Sequence, residues 1–268
     1  MKVGFIGAGR MGRPMVARLV AAGHDVRVVG RTAETQCEIE ELGAHAVRDP
    51  AEAGTQAEIV VVCVFSDEQV REVCLDGGLL SAMPAGSALV VHTTVSPKTI
   101  DALAASAEGV DVADAAVSGG PHDIAAGQLT LFVGGADDAV ERVQPVLRCY
   151  GDPVLHVGPR GAGQKVKLVN NALFAGHTGL LAEAVRLSER LGVPESTLLT
   201  ALSEGSATSR VLSLVAASGS IASFIEMTGE FVRKDVAVIR GVAEQLGTDL
   251  GVLDDAIKAI GDVRRAVR

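Results

Sequence analysis

Residues 2–12, KVGFIGAGRMG, place three glycines in GxGxxG spacing directly after a short apolar run. That arrangement leaves a chain few options. A strand must end at a tight turn, and a helix must start within a few residues of it. Gly7 suits the turn, Gly9 lets backbone approach a ligand closely, and Gly12 lets the helix pack against the strand it follows. The first N–H groups of the helix and its positive dipole end then favour phosphate. Gly7, Ala8, Gly9, Arg10, Met11 and Gly12 are therefore expected to hold the pyrophosphate of a dinucleotide.

The pattern continues as such a start requires. Strand-like runs (DVRVVG, EIVVVCVF, ALVVHTT, VDVADAAV, LTLFVGG, PVLHVG) alternate with helical stretches up to about residue 160. EIVVVCVF is almost continuously apolar, as a central parallel strand covered on both faces should be. Alternation of this kind predicts βαβ units and a doubly wound sheet. Beyond Pro159 the pattern changes to helix. One proline-free segment runs from Gly163 to Leu191, followed by ESTLLTALSEG, TGEFVRKDVAVIRGVAEQLG and VLDDAIKAIGDVRRAV. The expected fold is α/β: a Rossmann domain over 1–160 and an all-α domain over 161–268, joined by the short stretch HVGPRGAGQ.

The end of the second strand bears on which dinucleotide binds. The chain reads Gly30-Arg31-Thr32 there, with no acid before Glu34. An acid would accept from a ribose 2′-hydroxyl, whereas an arginine fork suits a 2′-phosphate. Arg31 and Thr32 are thus expected to favour NADP(H) over NAD(H). A net charge of -9 and 3% aromatic residues, with no Trp, argue against a nucleic-acid partner. The basic end DVRRAVR reads as a solvated helix end. The four cysteines form no CxxC pair and are expected to be buried free thiols. The apolar stretches are broken by Pro, Gly and Ser and predict no membrane span, and MKVGFIG enters a strand at once; a cytoplasmic protein is expected. No metal site is suggested.

The stretch GQKVKLVNN, residues 163–171, sets two lysines and two asparagines at the start of an apolar helix. Taken with the glycine loop, with HTTVSP, VSGG and KDV, it makes the chain resemble the β-hydroxyacid dehydrogenases, the group that includes 3-hydroxyisobutyrate dehydrogenase and tartronate semialdehyde reductase. The likeness covers nearly the whole chain. It implies that Lys167 is the catalytic lysine and that Asn171 binds substrate beside it. It implies that Ser118, Gly119 and Gly120 form the substrate loop. Phe65, Ser66, Thr94 and Lys234 fall on cofactor-contacting positions. Ser66 stands where the family usually has proline, and Ala116 replaces another proline. Pro121, His122, Asp123 and Ile124 occupy positions that are usually smaller or less polar, which leaves the substrate open. The likeness also implies a homo-oligomer, a dimer or tetramer, through the helical region.

The implied reaction moves a hydride between nicotinamide and the carbon of a small carboxylate-bearing β-hydroxyacid or its semialdehyde or keto form. In reduction the carbonyl oxygen gains charge and a proton; a lysine ammonium can provide both, and the neutral amine can take the proton back. The apolar run after Lys167 is expected to bury it and lower its pKa. Residues four apart share a helix face, which sets Asn171 beside Lys167. Lys165 is expected in solvent and Asn170 in a capping or bridging role. The interior Gly176 and Gly179 suggest close packing of another helix. Ser118 and the N–H groups that follow it suit a substrate carboxylate. Two alternatives are an imine reductase-like enzyme, in which the lysine is commonly replaced, and a non-catalytic NADP-binding scaffold, in which it is lost.

Overall fold

The computed structural model describes residues 1–266, with side chains through Gly261; the basic run at 262–268 lies outside the described side chains. Two compact units divide it, Met1–Lys167 and Leu168–Arg268. The division falls inside a helix, a little past the expected join at 160.

The first unit runs β1 (Lys2–Ile6), α1 (Gly12–Ala21), β2 (Asp25–Val29), α2 (Ala33–Glu41), β3 (His45–Val47), α3 (Pro50–Gly54), β4 (Ile59–Val62), α4 (Asp67–Arg71), a π-helical turn (Glu72–Asp76), α5 (Leu79–Ala82), β5 (Ala88–Val91), α6 (Pro97–Ser106), β6 (Asp111–Ser118), α7 (Pro121–Ala126), β7 (Leu129–Gly134), α8 (Asp137–Leu147) and β8 (Gly151–Gly158). The eight strands form one sheet in the order β3-β2-β1-β4-β5-β6-β7-β8. All neighbours are parallel except β6 and β7. The doubly wound sheet expected from the alternation is present, with an antiparallel step that the alternation did not indicate.

Strand alternation builds two cores. In β4, Ile59 and Val61 join one cluster with Phe5, Met15 and Leu19, while Val60 and Val62 join another with Ile6, Ile100 and Leu103. β5 divides the same way, Ala88 and Val90 to the first, Leu89 and Val91 to the second. Successive side chains of a strand point to opposite faces, so an uninterrupted apolar run serves both layers. Each such Val or Leu contributes about 1.5–3 kcal/mol on full burial.

Helix α9 (Ala162–Arg190) is the long segment expected over 163–191. The second unit continues with α10 (Glu195–Glu204), α11 (Arg210–Ser218), α12 (Ile221–Gln245) and α13 (Val252–Ala266). Its main core joins Ala182 and Val185 to Leu199, Val211, Val215, Phe224 and Ile225. Gly179 is required in α9: a Cβ there would lie 1.8 Å from the Ala256 carbonyl oxygen of α13, and one at Gly176 would meet Leu253 Cδ2 at 3.4 Å. The two glycines thus let one helix seat on another.

Some elements and residues depart from the sequence reading. The stretch PHDIAA, which carries the atypical residues 121–124, forms a short helix, α7. Cys37 is exposed, and of the four free thiols only Cys74 is fully buried; burial pushes it up to about 12. The three-residue strand β3 and helix α11 were not anticipated, and α12 begins at Ile221 rather than near Thr228. Among the described residues no single helix is long and apolar enough to cross a membrane; α11 and α12 pass that test only as a pair bent by 113°.

Candidate active site

Four neighbouring parallel strands, β1, β4, β5 and β6, end on one edge of the sheet. Each end carries a segment singled out from the sequence: Gly7–Gly12 after β1, Phe65 and Ser66 after β4, Thr94 after β5, and Ser118–Gly120 at the end of β6. Ligands of open α/β sheets bind outside the carboxyl ends of the strands, so the topology gathers the expected residues where a dinucleotide would lie.

The glycine loop has the form the motif requires. Gly7 has φ +102°, and a Cβ there would lie 2.2 Å from the Cys63 carbonyl oxygen. A Cβ at Gly12 would lie 2.1 Å from the Gly7 carbonyl oxygen and 2.8 Å from Phe5 Cε1. At Gly9 a Cβ would meet nothing within 4 Å. Two glycines are therefore demanded by the protein's own packing, and the middle one faces open space. No side chain caps the start of α1, so its first N–H groups are not spent on a capping residue. Arg10 and Met11 follow in the same loop, next to Ala8.

At the end of β2, Thr32 caps α2: its hydroxyl accepts from the Thr35 N–H at 3.2 Å. Thr32 is thus partly committed to the fold. Arg31 is exposed, and among the described residues its side chain has no hydrogen bond or ion pair. Gly30 accepts from Gln36 Nε2 at 2.8 Å and has no room for a side chain, which fixes where the arginine begins.

The loops after β4 and β5 are sewn together. Thr93 Oγ1 donates to the Val64 carbonyl at 2.9 Å and accepts from the Val64 N–H at 3.0 Å. The Phe65 N–H donates to Gln69 Oε1, and Ser66 caps α4 by accepting from the Gln69 N–H. This explains a serine at the position where the family pattern has proline: its hydroxyl starts a helix. Asp67 accepts from the Ser96 N–H at 2.8 Å and from Thr99 Oγ1 at 2.6 Å. Phe65 is 42% exposed and Thr94 is buried.

Two residues that the sequence did not flag fix the start of α9. Asp114, on β6 and fully buried, accepts from the Gly161 N–H at 2.6 Å and the Gln164 N–H at 2.7 Å. Burial pushes its carboxyl up, against the pull of these backbone donors. A carboxylate at a helix start is favoured by the orphan N–H groups and the dipole. Gln164, also fully buried, accepts from the Val95 N–H at 3.0 Å and donates to the Thr93 carbonyl at 2.9 Å. A Cβ at Gly163 would strike the Phe132 carbonyl oxygen at 2.3 Å, so only glycine lets the helix come this close to the sheet. Lys167 lies one turn beyond Gln164. It is half-buried rather than enclosed, which corrects the expectation of burial in an apolar setting. Lys165 is exposed, as expected.

In the substrate loop, Gly119 has φ +132° and a Cβ there would lie 2.8 Å from Asp123 Oδ2. The Gly120 N–H donates to that same oxygen at 2.7 Å. Of the N–H groups expected to face a carboxylate, Gly120's is thus already used within the loop. Of the atypical residues, Asp123 shapes the loop, Ile124 is core, and His122 is exposed.

The second unit holds its own polar chain. Asn170 Nδ2 donates to Asn171 Oδ1 at 3.0 Å, Asn171 Nδ2 donates to Asp235 Oδ2, and Lys234 Nζ lies 3.0 Å from Asp235 Oδ1. Asn170 therefore bridges to Asn171 rather than to backbone. Asp235 ties the two expected site residues of this unit, Asn171 and Lys234, to each other. KDV was legible as a motif, but only for its lysine.

Comparison with known proteins bears on the family and the fold. Residues 2–158 match the family model described as the NAD binding domain of 6-phosphogluconate dehydrogenase. Residues 161–266 match the one described as the NAD-binding of NADP-dependent 3-hydroxyisobutyrate dehydrogenase. A 2-(hydroxymethyl)glutarate dehydrogenase of Eubacterium barkeri is 35% identical over 74% of this chain and 67% of its own length. The solved structure of Mycobacterium tuberculosis 3-hydroxyisobutyrate dehydrogenase with L-serine superposes with a TM-score of 0.86 at 26% identity, over 97% of this chain and 92% of that one. An imine reductase from Pseudomonas sp. shares the fold alone, with a TM-score of 0.66 at 20% identity over 98% and 93% of the two chains.

Proposed function

The chain belongs to the β-hydroxyacid dehydrogenase family of NAD(P)-binding oxidoreductases, and from that premise we propose that it interconverts a small β-hydroxyacid and its semialdehyde or keto form, with NADP(H) as the preferred cofactor and Lys167 as general acid and base. The observation that carries the reading is the anchoring of α9 at the sheet edge by Asp114 and Gln164, because it places the first turns of the lysine helix beside the loop that bears Thr94.

The residues fit the cofactor. Gly7 to Gly12, with Ala8, Arg10 and Met11, would hold the pyrophosphate, and Phe65, Ser66 and Thr94 would line the nicotinamide side; Lys234 is a cofactor contact by the family likeness alone. Arg31, with no partner among the described residues and no acid beside it, supports a 2′-phosphate and hence NADP(H), with Thr32 at the same turn. When bound, the nicotinamide supplies or accepts the hydride. The protein's own task is to orient and to move a proton. Ser118 and Gly119 bind the substrate carboxylate. The Lys167 ammonium stabilises charge growing on the carbonyl oxygen and delivers its proton; in oxidation the amine removes the hydroxyl proton. Asn171, held by Asp235, presents an oriented amide to the same oxygen. A homo-oligomer is supported by α9, where Leu173, Leu180 and Leu187, seven residues apart, are 44%, 59% and 58% exposed.

Two readings compete. An imine reductase has the fold but commonly lacks the lysine, and a binding scaffold has lost it; Lys167 is present here. Turnover of glyoxylate, succinic semialdehyde, tartronate semialdehyde, 3-hydroxyisobutyrate and serine, at two pH values and with each cofactor, separates them. Hydride transfer to or from one of these compounds supports the proposal. Turnover of cyclic imines alone, or NADPH binding without any turnover, overturns it.

A further inference from the structure

We propose that Gln164 is a positioning residue of the active site, holding the loop that bears Thr94 at a fixed distance from Lys167. The inference rests on the function proposed above. Gln164 is fully buried, where an amide is costly unless both its ends are paired. Both are paired, and to neighbouring groups of one loop: Oε1 with the Val95 N–H at 3.0 Å and Nε2 with the Thr93 carbonyl at 2.9 Å. The residue between them is Thr94. The Gln164 N–H is itself fixed by Asp114 Oδ2 at 2.7 Å, so the side chain departs from an immobile point.

Lys167 is three residues on, a spacing that shares a helix face. One rigid amide therefore connects the lysine helix to the cofactor-side loop. Through the two hydrogen bonds between Thr93 and Val64 it also reaches the segment carrying Phe65 and Ser66. The job calls for a donor and an acceptor on one flat group, which an ionised carboxylate, a lysine or a hydrocarbon of the same length cannot supply. Gln164 reaches neither substrate nor cofactor in this scheme and acts only through the two loops and the helix.

The test compares wild type with Gln164→Met and Gln164→Glu, measuring kcat, substrate KM, and the dissociation constant of NADPH from its own fluorescence. In Gln164→Met, kcat should fall about 10- to 100-fold, as expected for a misaligned reacting pair. KM should stay within about threefold because substrate contacts remain. NADPH should bind about tenfold more weakly, the scale of one lost hydrogen bond. In Gln164→Glu the buried acid, when protonated, regains a donor and an acceptor. Its kcat and NADPH affinity should therefore recover as pH is lowered, in a profile wild type does not show.

If the folded variants keep wild-type kcat and NADPH affinity at every pH and lose only thermal stability, the residue is structural and the proposal is overturned. Should Gln164→Met not fold, Gln164→Glu decides alone: recovery on acidification supports the proposal and a flat profile ends it. Wild type without hydroxyacid turnover would defeat the proposed function instead, and NADPH affinity would still report on Gln164.

Discussion

Arg31 and His92 show how differently single residues are used in one sheet domain. Arg31 is an exposed cation at a strand end with no partner among the described residues. Its proposed work begins only with a bound 2′-phosphate, so Arg31→Glu should raise KM for NADPH at least about tenfold and leave KM for NADH nearly unchanged. An equal loss for both cofactors would remove Arg31 from the discrimination. His92 is enclosed. Its Nδ1 pairs with the Ala115 carbonyl at 2.5 Å and its Nε2 with the Tyr150 hydroxyl at 2.8 Å, the rings meeting edge-on. Burial lowers its pKa from 6.5 to about 4, so the folded state keeps it neutral where the unfolded chain takes a proton. Burying the neutral ring therefore leaves stability full above pH 6.5 and makes it decline as pH falls, by about 3 kcal/mol at pH 4. Urea unfolding of wild type and His92→Phe at pH 7.5 and 4.5 checks this: the variant should lose much of the pH dependence, and equal dependence would show that other groups set it.

At the scale of elements, the glycines of the helical unit make a clean contrast. Gly179 lies against the backbone of α13, whereas a Cβ at Gly241 in α12 would meet nothing within 4 Å. Gly179→Ala must push α9 and α13 apart and should destabilise by about 1–3 kcal/mol, despite alanine's better helix propensity. Gly241→Ala meets no obstacle and should stabilise by about 0.5–1 kcal/mol. Thermal unfolding of both variants reads both signs; a stabilised Gly179→Ala would mean that the close approach of α9 and α13 is not what holds them. Helix α9 also shows why some elements are readable. Its length and lack of proline mark it in the sequence, but its anchor at the N-terminus is made by a residue 47 positions before Gly161 and so leaves no local trace.

Across the whole molecule, what could be read from the sequence was local. The glycine loop, the apolar central strands and the long helix depend on neighbours in the chain, and their places in the structure follow from spacing. The antiparallel step from β6 to β7 was not readable from alternation. Its cause is plain in hindsight: about ten residues and one short helix join the strands, too little for a parallel crossover. Asp114 sits in VDVADAAV as one of two acids in an apolar run, and Gln164 beside two more conspicuous lysines; their work is done with partners 47 to 71 residues away. Asp235 was hidden by its neighbour Lys234 for the same reason. The burial expected for Lys167 was inferred from the residues after it, yet those apolar residues are spread around a helix, and Val169 and Leu173 point to solvent.

In the proposed reaction Lys167 moves the proton while the rest of the site binds. Lys167→Ala, assayed with NADPH and whichever semialdehyde wild type reduces best, tests it most directly. The kcat should fall about 100- to 10,000-fold, with NADPH affinity within about threefold of wild type. A variant that keeps wild-type kcat would contradict it.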